Sequence, residues 1–134
     1  MALVTFVDDS APYLNAQNLN KIHESNVYST SEIEIGKYVD DKTIYKKTFT
    51  GSIADATILL SNVDVVINCY GTGSVVSGTV QQVPYLEIYN NLNYMLKCVY
   101  STSTHNVTFA ALSGGTPVTA TNCNITIEYT KTTD

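Results

Sequence analysis

From Val27 onward no stretch keeps the i, i+3, i+4 spacing of an amphipathic helix, while the segment starting at Glu32 and the last strand-like run alternate apolar and polar residues with the period of two that marks half-buried strands. The run Glu32 to Val39 and the run Thr43 to Phe49 flank Asp40-Asp41-Lys42, predicting two strands and a tight turn. With a two-residue loop at Asp41-Lys42, Val39 would face Ile44 and Tyr38 would face Tyr45, placing like residues together. Further strands are predicted over 56–60, 63–70, 74–82, 85–89, 94–100, 106–112 and 118–130, separated by Gly-, Asn- and Ser-rich punctuation. In the last of these, Ile125, Ile127 and Tyr129 share one face and Thr126, Glu128 and Thr130 the other, the pattern of a half-buried antiparallel strand. Strands at this spacing predict an all-β, antiparallel β-sandwich.

The first residues read differently. Ala2 to Val7 is β-rich and ends at Asp8-Asp9-Ser10; Asn15 then caps a predicted short helix over Ala16 to Glu24, whose apolar stripe is Leu19 and Ile22. Two parts follow: residues 1–26, a short strand and helix suited to attachment or trimerisation, and residues 27–134, the β-sandwich.

Composition narrows the class. A chain of 134 residues with 44% hydrophobic content fits one ordinary core. Its net charge of −5 and seven Lys/Arg residues without a basic run argue against nucleic acid or an anionic membrane surface as partner. No run approaches the ~18 apolar residues of a membrane span, so no membrane insertion is expected. Ala2 to Val7 is too short for a signal-peptide core and lacks a basic lead, so synthesis in the cytoplasm is expected. Cys69, Cys98 and Cys123 show no metal or redox spacing and read as buried free thiols.

Three stretches resemble a known family. Tyr28-Ser-Thr-Ser-Glu-Ile-Glu-Ile-Gly-Lys-Tyr-Val-Asp-Asp-Lys-Thr-Ile-Tyr-Lys-Lys-Thr-Phe49 resembles the "YSTxE…IGxWxDGKxIYxK" hairpin of bacteriophage tail-fibre and head-fibre type receptor-binding proteins. Ile125 to Asp134 resembles the "xEYTKTTD" ending of such chains, and Ala11 to Ile22 resembles the "PxxNAxNLNKI" lead of phage appendage modules. Tyr38 stands where the pattern has Trp, and Asp41 where it has Gly. The resemblance implies a jelly-roll-like sandwich that works as a homotrimer in the virion. It also implies host attachment by recognition of a bacterial cell-surface carbohydrate, with other virion proteins bound through the N-terminal segment and the chain made in the host cytoplasm. One alternative is a head-decoration or fibre-attachment protein whose ligand is another virion protein; another is a polysaccharide-trimming enzyme.

The candidate chemistry favours binding over catalysis. Glycoside hydrolysis needs two carboxyl groups roughly 5–9.5 Å apart. Glu32 and Glu34 share a strand face about 7 Å apart by strand geometry, but they belong to the recurring hairpin and are expected to face solvent. Asp40 and Asp41 are explained by turn chemistry. His23 and His105 have no nucleophile motif nearby and read as surface residues. Gly71-Thr-Gly73 lacks the rest of a phosphate loop and reads as a glycine-bearing turn, and Ser113 to Pro117 as a loop tip. The triplets at Asn106 and Asn124 match the glycosylation pattern by chance. The expectation is no catalytic residue, no metal and no cofactor.

Ten tyrosines remain, five of them (Tyr70, Tyr85, Tyr89, Tyr94 and Tyr100) in the middle of the chain. A ring with a polar tip suits a sugar face or a subunit interface. The candidate ligand-binding residues are Tyr85 and Tyr89 beside Asn90 and Asn91, whose amides match the donors and acceptors of hydroxyl groups.

Overall fold

A computed structural model describes residues 28–134 of the chain; the short strand and helix expected ahead of Val27 lie outside the described residues. The alternation seen in the sequence becomes ten strands: β1 (Ile33–Lys37), β2 (Thr43–Ala54), β3 (Ile58–Leu60), β4 (Val63–Ser74), β5 (Gln81–Val83), β6 (Tyr85–Tyr89), β7 (Leu92–Ser101), β8 (Asn106–Ser113), β9 (Thr116–Pro117) and β10 (Thr119–Lys131). Every pairing is antiparallel. One sheet has the order β1-β2-β10-β4-β5; the second has the order β3-β8-β7-β6, with β9 paired to β8. No helix occurs among the described residues.

The two sheets close on one apolar core. Leu60, Val63, Leu96, Val107, Phe109, Ala111, Ile125 and Ile127 are buried there, with Tyr129 at one end and Val75 and Val83 toward the other. The chain passes between sheets where a residue with positive φ allows a sharp corner. At the β2–β3 corner Ala56 has φ 62, its amide donates to the Phe109 carbonyl at 2.8 Å, and the Asp55 carboxylate accepts from the Ala111 amide at 2.7 Å. At the β3–β4 corner Asn62 has φ 59, a conformation that Asn tolerates better than most residues. These polar ties satisfy backbone groups that the strand ladders leave open.

The central strand β10 differs from its expected half-buried form. Ile125, Ile127 and Tyr129 face the core, yet Thr126 and Thr130 on the opposite face are equally buried. At Thr126 the polar face closes through a hydrogen bond of 2.8 Å shared with the Thr48 hydroxyl across β10 and β2, whereas the Thr130 hydroxyl is buried without a partner among the described residues; Tyr28 lays its ring near the Lys46 ammonium, 4.7 Å from the ring centre.

Three local expectations are corrected. The β1–β2 hairpin has a three-residue loop, Val39 to Asp41: the Asp41 amide donates to the Tyr38 carbonyl at 3.0 Å, and the Tyr38 amide to the Lys42 carbonyl at 2.9 Å. Asp41 has φ 66, the left-handed position that a type I turn with a bulge requires. The pairs are therefore Gly36 with Ile44 and Glu34 with Tyr45, and Val39 is left 93% exposed. The strand expected over 74–82 is only Gln81–Val83. Ser74 instead bonds forward to the Val76 and Thr79 carbonyls, and the Gln81 side chain accepts from the Val75 amide at 3.0 Å, so local side-chain bonds hold a turn that competes with extension.

The third correction concerns Gly71, which lies inside β4 and not in a turn. Its φ is +143, and a Cβ built there would sit 2.0 Å from the Asn124 carbonyl oxygen and 2.8 Å from the Ile125 Cα. The irregular register of β10 between Thr121 and Asn124 brings that backbone against β4. Gly71→Ala should therefore destabilise the protein by about 3 kcal/mol or more, because two central strands must part and the residue is strained besides. Gly114→Ala, with contacts no closer than 3.8 Å, should cost only about 1 kcal/mol from its positive φ. Urea denaturation of the two variants should rank them in that order, and equal midpoints would contradict the close approach at Gly71.

Candidate functional site

The four residues singled out in the sequence lie on one edge hairpin. Asn90 and Asn91 have φ 50 and 61, and Tyr89 pairs with Leu92, so they are the two central residues of a two-residue loop with type I′ character. That turn fixes the register of β6 on β7: Glu87 stands opposite Tyr94, Ile88 opposite Asn93 and Tyr85 opposite Leu96. Because Leu96 is buried in the core, Tyr85, Glu87 and Tyr89 lie on the core-side face of β6 and Leu86 and Ile88 on the outer face.

Sheet one covers that core-side face only in part. Tyr85 packs against the core, whereas Tyr89, two residues along at each step, is 62% exposed. Between them Glu87, with Tyr94 from β7 and Val76 from the turn after β4, joins Tyr89 in lining an open depression of about 310 Å³. The Tyr85 hydroxyl donates to the Glu87 carboxylate, and this bond, together with weaker burial, raises the phenol pKa above its ordinary value. Gly114 of the β8–β9 turn lies against the Tyr94 hydroxyl and Leu92, and the Gly115 amide donates to the Asn93 carbonyl at 2.7 Å, bracing the mouth from below.

The structure thus brings Tyr85 and Tyr89 to one face, but of the four candidates only Tyr89 lines the depression; Tyr85, Asn90 and Asn91 lie outside its lining. Glu87, Tyr94 and Val76 were missed. The first two were within reach of the sequence: a type I′ turn at Asn90-Asn91 with period-two counting places Glu87 beside Tyr94. Chemically, two phenol rings and one carboxylate offer a stacking surface and hydrogen-bond acceptors to a polyhydroxylated ligand.

A wider groove of about 410 Å³ runs along the opposite side of the molecule between β2 and β3. Its lining mixes hydroxyl residues, Thr30, Thr50, Ser52 and Thr57 among them, with apolar ones such as Ile58 and Leu59 and the aromatic ring of Phe49. The Lys47 ammonium sits 5.2 Å from the Phe49 ring centre, so that face is already occupied. The depression beside Tyr89 is smaller but offers free rings, and is the better candidate.

The other sequence candidates have structural roles. Tyr100 donates to the Asp64 carbonyl at 2.7 Å, and Tyr70 packs edge-on against Tyr28, its pKa pushed up to about 12 by burial and then by Glu128. His105 is in an exposed loop with Nδ1 3.1 Å from the Val63 carbonyl, and His23 lies outside the described residues. Asp40 accepts from the Lys42 amide at 3.2 Å within its turn. Among the described residues, no three His, Cys, Asp or Glu side chains come together to hold a metal ion. No family model, no curated protein and no solved structure matches the chain.

Glu32 is engaged as a clamp. Its carboxylate accepts from the Tyr129 hydroxyl and pairs with the Lys131 ammonium at 2.5 Å; Lys131 lies 4.0 Å from the Tyr45 ring centre. Burial opposes the charge on Glu32, but the hydrogen bonds from Lys131 and Tyr129 outweigh it and hold the pKa below the ordinary value. A carboxyl depressed in the folded state contributes stability above its unfolded pKa, about 4.3, and loses it as pH falls through the folded value. Glu32→Ala should cost about 1–2 kcal/mol at pH 7, mostly from the Tyr129 hydroxyl left without its acceptor, since the ion pair is partly exposed and contributes little. The gap between the melting temperatures of the two proteins should narrow below about pH 4; a gap independent of pH would refute the clamp.

Proposed function

We propose that the chain is a non-enzymatic virion appendage protein, a jelly-roll-like sandwich that acts as a homotrimer and binds a bacterial surface carbohydrate at the mouth formed by Glu87, Tyr89 and Tyr94. The observation that carries this is the pair of accessible phenol rings beside one carboxylate in a shallow depression. A shallow, aromatic, polar-edged site suits a weak sugar contact, and threefold repetition would multiply its effect through avidity. Among the described residues the depression is lined by a single acid, Glu87, where glycoside hydrolysis needs two. The likeness of Tyr28 to Phe49 and of Ile125 to Asp134 to phage fibre motifs supplies the biological setting.

The outer face of the second sheet supports association with protein. Ile58, Leu86, Ile88 and Val99 are 56%, 68%, 68% and 43% exposed, and registers set Met95 and Leu112 between them, with Lys97 as the basic residue on that face. An apolar sheet face of this extent marks a contact surface. A second copy of the chain is the occupant in the homotrimer; if the partner is instead another virion protein, the module is a head-decoration or fibre-attachment protein.

Two measurements test the proposal. Tyr89→Ala should weaken binding of the protein to isolated bacterial surface polysaccharide by about tenfold or more, equivalent to about 1.4 kcal/mol, without shifting the melting temperature; unchanged binding would remove the Tyr89 mouth as the site. Sedimentation at micromolar concentration should give three times the 14.6 kDa chain mass, and Ile88→Asp should shift it toward the single chain; a wild-type species at 14.6 kDa refutes the trimer.

A further inference from the structure

The three cysteines, scattered in the sequence, converge between the sheets. Cys69 pairs with Ile127 across β4 and β10, so its side chain lies on the core-side face of the first sheet; Cys98 pairs with Phe109 across β7 and β8, on the core-side face of the second. Both Ile127 and Phe109 are fully buried, which fixes the direction. β4 and β7 approach within 8 Å between Cα atoms at their closest, and the Leu96 side chain of β7 lies against Gly73 of β4. The two thiols therefore project toward each other from the facing sheets, each packed against the shared core, and both are half-buried and free. Cys123 is different: it is 3% exposed, lies against Gly73 and points its sulfur toward the Thr121 carbonyl at 3.8 Å.

We propose that Cys69 and Cys98 are a redox-addressable pair that forms an inter-sheet disulfide when the protein meets a low-molecular-weight disulfide such as oxidised glutathione. A half-buried sulfur is reachable by such a reagent, and the partner thiol stands ready to complete the exchange. The Cys69 thiolate attacks one sulfur of the oxidant, breaking its S–S bond and expelling one glutathione thiolate. The Cys98 thiolate then attacks the Cys69 sulfur of the mixed disulfide and expels the second. Two S–H bonds are lost and one protein S–S bond is made; the two protons and two electrons end on the two glutathione thiols. The neighbouring Cys98 lowers the pKa of Cys69 against the effect of burial, and the neighbouring Cys69 together with burial raises that of Cys98. The bridge would tie the first sheet to the second across their shared core and close a loop containing β5 and β6, the strand that carries the Tyr89 mouth.

The test uses the intact chain. Native protein is incubated with millimolar oxidised glutathione, alkylated, and mapped by mass spectrometry without reduction. The expected result is a peptide linked through Cys69 and Cys98, with Cys123 alkylated only after unfolding, and a melting temperature raised by about 10 °C over the reduced form. Cys123→Ser should give the same bridge, and Cys98→Ser should stop at glutathione held on Cys69. A stable glutathione adduct on wild-type Cys69, a bridge to Cys123, or no reaction in folded protein while the urea-unfolded chain reacts, would each overturn the assignment. The wild-type map is decisive on its own even if a serine variant fails to fold.

Discussion

The architecture depends on the hydrogen-bonding of β10 between β2 and β4. It meets β2 from Thr119 to Tyr129 and β4 from Thr121 to Lys131, so both edges of one 13-residue strand are in use. A strand in that position needs apolar residues on its core face, small residues that can satisfy themselves on the other, and neighbours that admit its irregularities. Ile125, Ile127 and Tyr129 meet the first demand, Thr126 with Thr48 the second, and Gly71 the third. Because β10 comes last among the strands and inserts between β2 and β4, the core is dominated by contacts distant in sequence. Chains of this kind fold on the slower part of the two-state range.

Much of the fold was legible in the sequence because turn residues punctuate it. β6, β7 and β8 fall close to their expected spans for that reason, and Asn90-Asn91 marked its turn by residue type alone. Legibility failed where a local bond or a distant backbone made the decision. Ser74 and Gln81 are compatible with extension by composition, yet their side chains secure a turn. Gly71 looks like a turn residue because the carbonyl that forbids a side chain there belongs to Asn124, 53 positions away (124 − 71). Asp41 occupies a left-handed position open also to Asn and Gly, and its type did not distinguish a two-residue from a three-residue loop.

The candidate site was half legible. Tyr85 and Tyr89 were visible as alternating aromatics, but the Asn pair was given the role of ligand contact when turn geometry already accounted for it. Glu87 and Tyr94 are brought together by cross-strand register, which the same Asn pair determines. Residue type alone hid this. The convergence of Cys69 and Cys98 was not legible at all, since it requires both the strand registers and the facing of the two sheets.

The molecule divides its surfaces in a way that bears on function. The first sheet buries its central strand on both faces and leaves little there to vary without cost. The second sheet buries its core side through Leu96, Val107 and Phe109 but keeps its outer face apolar and open, and its β6 edge ends in a turn whose residues fix register without entering the depression. Side chains at Glu87 and Tyr89 are therefore free of the core, while their backbone is held by five registered pairs with β7. Side chains on a rigid edge strand keep the precision that loops lack, and because these carry little of the packing energy, they can vary while the β10-centred core stays the same.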